Sequence, residues 1–363
     1  MTHADPASGA AALGPPLLLP EFAPQSGVIL TWPHAGTDWH SRLAEIENLY
    51  VQIAGTIARY ERLLIICYDT RHQLHVSRQL EHGKVAAEAV RFAIARTNDT
   101  WVRDYGPVTV SRNGRLELHD FTFDGWGGKY PAGLDNNASR TLFDSGYFAS
   151  SKYRRQPLVL EGGSIDSDGC GTLLTTSRCL LESGRNPGYD RTRLESWLRE
   201  HLGIDRVLWL EHGELAGDDT DAHVDMLARF CSPGIIAYSS CTAREDEHHA
   251  PLAAMEQQLQ AFRTREGLPY QLVPLPLPRP IRDESGRRLP ASYANFLIIN
   301  GAVLLPVYDD PADAAALAAL AGCFPDRRVE PLGCLPLIRQ NGSLHCATMQ
   351  LPAGVLKQGE VSG

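Results

Sequence analysis

The chain has 363 residues, and its 34 Lys+Arg against 43 Asp+Glu give a formal net charge of −9. Hydrophobic residues make up 43% of the chain and charged residues 21%, which is a globular composition with ample apolar material for a core. The acidic balance argues against nucleic acid or an anionic membrane surface as the main partner, and it permits a cationic small molecule.

The two ends of the chain differ in composition from the rest. Residues 1–20 are rich in Ala and Pro and hold no Lys or Arg, which predicts a disordered tail and no secretory leader. Residues 21–355 are expected to form a single domain, and residues 356–363 a second tail. No apolar run approaches 18 residues, so no membrane span is predicted. The eight scattered cysteines form no Cys-x-x-Cys pair, which favours free thiols and a cytoplasmic location.

A glycine followed by a short apolar, β-branched run recurs along the chain. The runs begin at Gly27, Gly106, Gly171, Gly234 and Gly301, at spacings of 79, 65, 63 and 67 residues. Each run is short and rich in Val, Ile and Thr, which predicts a buried strand. The chain therefore contains about five copies of one module.

Helical patterns and further strands separate these runs. Helices are predicted at 38–60, 189–202, 245–265 and 310–321, and further strands at 63–67, 158–160, 206–210, 270–274 and 328–331. Asp38 is the expected N-cap of the first helix, and the proline-rich stretch 274–280 an expected surface loop. An open doubly wound α/β sheet would also alternate strands and helices, but it normally carries a glycine-rich nucleotide motif, and neither common form is present. The regular copies fit a closed, propeller-like ring better.

The densest polar cluster is GDDTDAHVD at 217–225. Asp219, Asp221 and His223 have the spacing of the first Ca²⁺ ligands in an EF-hand, although the later ligand positions do not match, and capping and turn roles remain open. On an extended segment, His223 and Asp225 would share one face, which suits proton transfer beside a carboxylate.

Three further segments offer reactive groups. Asp104 lies in WVRDYGP beside Arg103. A purely structural salt bridge between these two residues remains an open alternative. Glu161 ends a predicted strand, and the two glycines after it allow a close approach to the backbone. Cys346 follows an Asn-Gly turn, and a helix start at this position would favour its thiolate.

Several carboxylates in one pocket would repel one another unless the substrate is a cation. A planar guanidinium suits them because its N–H donors match carboxylate oxygens in pairs. If these acids share a pocket with the cysteine and the histidine, they indicate a small cationic guanidine substrate.

Five motifs in this order carry a family resemblance. WVRDYGP, FDGWGGKYP, EGGSIDSDGCGTLLTTSRCLLESGRNP, GDDTDAHVD and NGSLHCAT resemble those of the agmatine deiminases, over about residues 27–352. These enzymes belong with the bacterial-type peptidyl-arginine deiminases in the guanidine-modifying pentein superfamily. The resemblance implies a five-bladed α/β propeller of strand–helix–strand modules, with no cofactor and no metal.

The resemblance also implies a role for each reactive residue. Cys346 would be the nucleophile on the guanidinium carbon, and His223 would give a proton to the departing ammonia and take one from water. Asp104 and Asp225 would hold the guanidinium nitrogens, and Glu161 is the remaining active-site carboxylate. Agmatine would become N-carbamoylputrescine through a covalent thiouronium intermediate, as in polyamine and putrescine biosynthesis.

The far end of the pocket follows the family pattern less closely. The expected substrate contacts are Trp101, Trp126, Asp219 and Asp221. The sequence departs from the commonest family pattern at Asp166, Cys170, Ser177 and Met226.

Other readings of the function stay open at this point. One is a deiminase of free or peptidyl arginine, for which Lys129 or Arg185 would bind the carboxylate. Another is a non-catalytic binding protein on the same fold. The sequence does not decide the oligomeric state, and a homo-oligomer remains an open alternative.

Overall fold

The structure is a computed structural model that describes residues 14–149 and 152–358. Its strands are β1 (Pro16–Leu18), β2 (Gln25–Thr31), β3 (Leu63–Cys67), β4 (Val90–Ile94), β5 (Val108–Arg112), β6 (Arg115–Thr122), β7 (Lys152–Val159), β8 (Ile165–Ser167), β9 (Thr172–Thr176), β10 (Arg206–Leu210), β11 (Ala228–Ser232), β12 (Ile235–Ser240), β13 (Gln271–Pro276), β14 (Leu297–Ile299), β15 (Ala302–Val307), β16 (Arg328–Gly333) and β17 (Thr348–Pro352). Its helices are α1 (Leu43–Ala58), α2 (Thr70–His82), α3 (Val102–Tyr105), α4 (Gly125–Gly128), α5 (Ala138–Asp144), α6 (Ser177–Leu180), α7 (Arg191–Leu202), α8 (His249–Ala261), α9 (Ala312–Cys323) and α10 (Leu335–Ile338).

The strands form five separate sheets within the described residues. Their strand orders are β17-β2-β3-β4, β1-β5-β6-β7, β10-β9-β8, β11-β12-β13 and β14-β15-β16. In each sheet a central strand pairs antiparallel with one neighbour and parallel with another, as β15 does with β14 and β16. A helix connects each parallel pair, since a crossover is needed to bring two parallel strands side by side. The fold is therefore mixed α/β, built from five copies of one unit.

The glycine-led runs mark the central strand in four of the five sheets. The runs at Gly27, Gly171, Gly234 and Gly301 correspond to β2, β9, β12 and β15. The run at Gly106 is instead β5, an outer partner of the central strand β6. The sequence reading missed β6 because its segment, RLELHDFT, alternates charged and apolar residues. Three of its polar side chains are nevertheless buried, Glu117, His119 and Asp120, as is Thr109 of the adjoining strand.

The first module also contains more structure than predicted. The helical pattern at 38–60 is a 3-10 turn at Asp38–Arg42 followed by α1, and the side chain of Asp38 caps neither. Helix α2 and strand β4 follow β3 and were not predicted. The proline-rich stretch is only partly a loop, because β13 extends through Pro276.

The two predicted tails are shorter than expected. Within residues 1–20, β1 pairs antiparallel with β5, and Gly203 leaves room for this strand, since a Cβ there would lie 1.8 Å from the Pro16 carbonyl oxygen. Leu356 is buried and forms a β-bridge with Phe148. Residues 1–13 and 359–363 of those predicted tails lie outside the described residues.

Two further expectations concern the whole chain. In the part of the chain that the structure describes, each helix is too short or too polar to cross a bilayer. All eight cysteines are free thiols, and Cys170 is the exposed one.

Candidate active site

Each of the five sheets contributes a polar residue just ahead of the strand that pairs antiparallel with its central strand. Asp104 precedes β5, Glu161 precedes β8, Asp225 precedes β11, Asn295 precedes β14 and Cys346 precedes β17. Equivalent ends of the five repeated units thus supply one site. The five strands that follow are short and mostly buried, so these residues are fixed by the core beneath them.

The site opens into a cavity of about 190 Å³. Four of the five predicted catalytic residues line it: Cys346, His223, Asp104 and Asp225. Among the described residues, six aspartates line this cavity, at positions 38, 99, 104, 218, 219 and 225. The cavity is therefore strongly acidic, as a cationic ligand requires.

Cys346 lies in a turn directly before β17, and not at a helix start as predicted. Its Sγ lies 3.3 Å from the Asn295 Nδ2 and 3.5 Å from the Asp225 Oδ2. Burial raises the pKa of the Cys346 thiol well above its ordinary value of 9.0, and the charges of Asp225 and Asp104 raise it further. These effects favour the neutral thiol of Cys346 at pH 7.

His223 lines the same cavity as Cys346. It precedes a 3-10 turn at Val224–Met226, so the predicted extended segment is wrong, although His223 and Asp225 both face the cavity. Burial lowers the pKa of His223 to about 3, against the opposing charge of Asp225. Neither ring nitrogen has a hydrogen-bond partner among the described residues, and Nδ1 lies 3.7 Å from the Asp104 Oδ1. The ring is a neutral imidazole that is free to exchange a proton with a ligand.

The two cavity carboxylates are held in different ways. Asp104 accepts hydrogen bonds from the Trp126 Nε1 and the Gly163 N, each at 2.9 Å. Burial still raises the pKa of Asp104 well above 3.8, and the charges of Asp225 and Glu161 raise it further. A bound cation would reverse this effect and favour the ionised carboxylate.

Asp225 is ionised, because the interactions that lower its pKa outweigh the effect of burial. Burial raises its pKa, but a hydrogen bond and charge from His345, 2.8 Å away, lower the net value below 3.8. Its other oxygen, Oδ1, has no partner within the described residues. That oxygen is available to accept an N–H from a ligand.

Glu161 lies behind His223 and does not line the cavity. It is fully buried and accepts a hydrogen bond from the Arg185 Nε at 2.8 Å. Glu161, Cys179 and His223 form the one group among the described residues whose ligand atoms converge as a metal site would need, within 4.8 Å. Arg185 already supplies a positive charge there, which opposes a metal cation.

The surroundings of Gly163 leave no room for a side chain, which accounts for one glycine of the pair that follows Glu161. A Cβ on Gly163 would lie 2.7 Å from the His223 Nδ1, 2.9 Å from the Asp104 Oδ1 and 3.0 Å from the Asp225 Oδ2. The close approach that the sequence predicted is therefore the approach of three cavity side chains to the backbone.

We expect Gly163→Ala to lower the rate of a reaction at this site by about 100-fold, since a displacement of about 1 Å of reacting groups costs that much. The midpoint of thermal unfolding should fall as well, because overpacking a buried site costs about 1–3 kcal/mol. Gly322→Ala is the matched control, since a Cβ there meets open space on α9. Equal activity in the two variants would show that the three side chains do not depend on this contact.

A left-handed turn positions Trp126 over Asp104. Trp126 has a φ of 59°, which is uncommon outside glycine, and the glycines on both sides of it also have positive φ. At Gly125 a Cβ would lie 2.2 Å from the Tyr130 carbonyl oxygen. The glycines of FDGWGGKYP therefore permit the turn that brings the indole N–H to Asp104.

The predicted contacts for the far end of a substrate divide into two groups. Trp101, Trp126 and Asp219 line the cavity, whereas Asp221 does not. Asp221 is paired with Lys129 at 2.8 Å and with Arg185 at 2.7 Å.

These pairs bear on two of the open alternatives. Asp219 bonds to Tyr130 and Asn341, so Asp219, Asp221 and His223 do not form the Ca²⁺ site considered from the sequence. Lys129 is paired with Asp221, and Arg185 with both Asp221 and Glu161, and neither Lys129 nor Arg185 lines the cavity. Of the described residues lining the cavity, Arg339 is the one with a positive charge.

Sequence reasoning missed three polar residues that hold the site. Asn295 is fully buried and accepts hydrogen bonds from the backbone N–H groups of His345 and Cys346, at 2.9 Å and 3.4 Å. His345 and Glu21 lie behind Asp225. A polar residue directly before a fully apolar run, as in SYANFLII, is the available signal for Asn295.

Comparisons with known proteins agree with this geometry. Residues 17–352 match the family of Porphyromonas-type peptidyl-arginine deiminases. The agmatine deiminase of Stutzerimonas stutzeri is 33% identical, over 92% of this chain and 94% of that protein. The agmatine deiminase of Ectopseudomonas mendocina is 34% identical, with the same coverage. A solved structure of C. jejuni agmatine deiminase with substrate bound superposes with a TM-score of 0.87 at 35% identity, covering 94% of this chain and 97% of that one.

Proposed function

Because the chain belongs to the Porphyromonas-type peptidyl-arginine deiminase family, we propose that it is an agmatine deiminase. It hydrolyses the C–N bond of the agmatine guanidinium and releases N-carbamoylputrescine and ammonia. The observation that carries this proposal is the acidic cavity, in which a cysteine, an unpartnered histidine and two buried aspartates face one another.

Binding begins with the charge of the substrate. The guanidinium lies between Asp104 and Asp225, and the free Oδ1 of Asp225 accepts one of its N–H groups. The positive charge offsets the two carboxylates that raise the pKa of Cys346. The substrate therefore lowers the pKa of the thiol that attacks it.

The reaction then proceeds through one covalent intermediate. The Cys346 thiol gives its proton to His223, and the thiolate forms a bond to the guanidinium carbon. His223 passes that proton to the departing nitrogen, ammonia leaves, and an S-alkylthiouronium remains on Cys346. Water, which loses a proton to His223, adds to the same carbon, and the C–S bond breaks to give the ureido product and the free cysteine.

His223 suits both proton transfers because it starts as a neutral base with no competing hydrogen bond among the described residues. Glu161 is close behind the ring, and we assign it the role of orienting His223 and stabilising the imidazolium that forms.

The distribution of charge favours agmatine over arginine. Both ends of agmatine are cationic, and the cavity presents six aspartates among its described lining residues. Arginine adds a carboxylate, which those acids would repel. Of the described residues that line the cavity, Arg339, paired with Glu284 at 3.3 Å, is the one cation that could receive it.

The arrangement of the five sheets as a five-bladed propeller is part of the same proposal. It is supported by the equivalent position of the five site residues, each before the outer strand of its own sheet. It is supported as well by β17, which pairs with β2 and so joins the last module to the first.

Two broader expectations accompany the activity. Eight free thiols support a cytoplasmic location, where thiols stay reduced. The product, a ureido derivative of putrescine, fits a role in polyamine metabolism, with a small cationic guanidine as the partner and neither nucleic acid nor membrane.

A substrate panel tests the proposal. Agmatine, free arginine and an arginine peptide are each incubated with the protein, and ammonia and ureido product are measured. We expect kcat/KM for agmatine to exceed that for arginine by at least about 100-fold, since unpaired polar groups in a binding site cost that much or more. Turnover of arginine without agmatine would establish the alternative deiminase, and binding without any product would establish a binding protein.

A further inference from the structure

A compact charged network lies behind the cavity. Glu21 accepts a hydrogen bond from the Arg103 Nη1 at 2.9 Å and pairs with Arg229 on its other oxygen. Arg229 also pairs with Asp166, its Nε lying 2.7 Å from the Asp166 Oδ2. Arg103, Arg229 and Asp166 are each less than 5% exposed. The proposed reaction uses none of these four residues.

His345 connects this network to the cavity. Its Nε2 lies 2.8 Å and 3.0 Å from the two oxygens of Glu21, and its Nδ1 lies 2.8 Å from the Asp225 Oδ2. The ring is fully buried, and Asn295 holds the backbone N–H of His345 at 2.9 Å. One imidazole thus bridges a carboxylate outside the cavity and a carboxylate that lines it.

We propose that Glu21 is a positioning residue which, through His345, fixes the Asp225 carboxylate so that its free oxygen points at the substrate cation. Glu21 touches no cavity atom itself, since the cavity lining includes Asp225 but neither His345 nor Glu21. The identity of the cation rests on the proposed function, but the positioning of Asp225 does not.

The geometry gives a physical reason for this role. Asp225 shares Oδ2 between His345 and the Cys346 thiol, so rotation of its carboxylate would exchange the bonded and the free oxygen. Both ring nitrogens lie within 3.0 Å of a carboxylate oxygen, and turning the ring would break both contacts at once, so the ring resists that rotation. Glu21→Gln replaces one of these two carboxylates by a neutral amide and so weakens that contact.

The same network contains a matched control. Asp166 pairs with Arg229, as Glu21 does, but among the described residues it has no hydrogen bond or ion pair with His345. A loss that comes from disturbing the buried arginines should therefore appear in Asp166→Asn and Glu21→Gln alike. A loss of Asp225 positioning through the His345 contact should appear in Glu21→Gln and His345→Gln, and not in Asp166→Asn.

The test compares the alkylation of Cys346 by 2-chloroacetamidine, which is cationic, and by neutral 2-chloroacetamide. Peptide mass spectrometry follows each rate, and the ratio of the two rates measures how well the carboxylates hold a cation beside the sulfur. Relative to the unmodified protein, we expect the ratio to fall about tenfold in Glu21→Gln and in His345→Gln, a typical size for positioning contacts, and to stay within about twofold in Asp166→Asn.

Three results would overturn the proposal: an unchanged ratio in Glu21→Gln, an equal fall in Asp166→Asn, or no preference for the amidine in the unmodified protein. His345→Gln decides the matter if Glu21→Gln does not fold. A preserved preference for the amidine in a protein that does not hydrolyse agmatine would instead refute the proposed function and leave this inference standing.

Discussion

Replacing Cys346 by serine is expected to lower kcat for agmatine by at least about 10⁴-fold, since loss of an enzyme's nucleophile costs up to about 10⁶ in kcat. A serine hydroxyl is a far weaker nucleophile at this position, because the two aspartates that raise the pKa of the thiol would oppose an alkoxide even more. Ammonia release and ureido product are both measured, so that a slow partial reaction is also detected.

Binding of agmatine should survive this change. Asp104 and Asp225 keep their partners in the variant, and serine is slightly smaller than cysteine, so the cavity stays open. Isothermal titration with agmatine should give a Kd within about threefold of the KM of the unmodified enzyme, as expected where chemistry is slow relative to dissociation.

Cys170→Ser provides the control for the loss of one thiol, because Cys170 is exposed and does not line the cavity. Its activity should match that of the unmodified protein. Deimination that persisted in Cys346→Ser would remove this residue from the mechanism and leave the two aspartates as a binding site alone.

The repeated module could be predicted from sequence because its central strands are nearly all apolar. A glycine followed by Val, Ile, Leu and Thr indicates a strand buried on both faces, as in β9 and β15. The same rule failed at β6, where buried charges are paired across strands, as Glu117 is with Arg154 at 2.6 Å. Such pairing depends on β7, a strand more than thirty residues away, so it cannot be recognised from the local sequence pattern.

The predicted catalytic residues were identified through their motifs, whereas their local geometry was not. His223 and Asp225 face one cavity through a 3-10 turn, and Cys346 lies in a turn without a helix dipole. Glu21 could not be found from sequence, because its neighbours in space are more than eighty residues distant along the chain. It stands one residue beyond the predicted tail, where composition suggested no function.

The proposed proton transfers make His223 the second decisive position. We expect His223→Ala to lower kcat about 10³-fold while KM changes by less than about threefold, since a general acid–base residue contributes about 10²–10⁴-fold to the chemical step. The guanidinium is held by Asp104 and Asp225, and His223 is a neutral ring that contributes little charge to binding. Steady-state kinetics with agmatine separate the two constants.

His119→Ala is the matched control for this variant, because His119 is equally buried and its pKa is likewise lowered by burial, to about 4, but it lies in β6 and does not line the cavity.

The stability of the protein in acid tests the buried neutral state of His223 itself. Below pH 6.5 the unfolded chain binds a proton at position 223 that the native protein does not bind until about pH 3, so the free energy of unfolding falls as the pH decreases through this range. His223→Ala should therefore lose less stability between pH 6.5 and pH 3 than the unmodified protein does. An intact kcat with a raised KM in His223→Ala would make His223 a binding residue. The proton would then need another carrier, and Asp104, whose Oδ1 lies 3.7 Å from the His223 Nδ1, is the cavity group in contact with it.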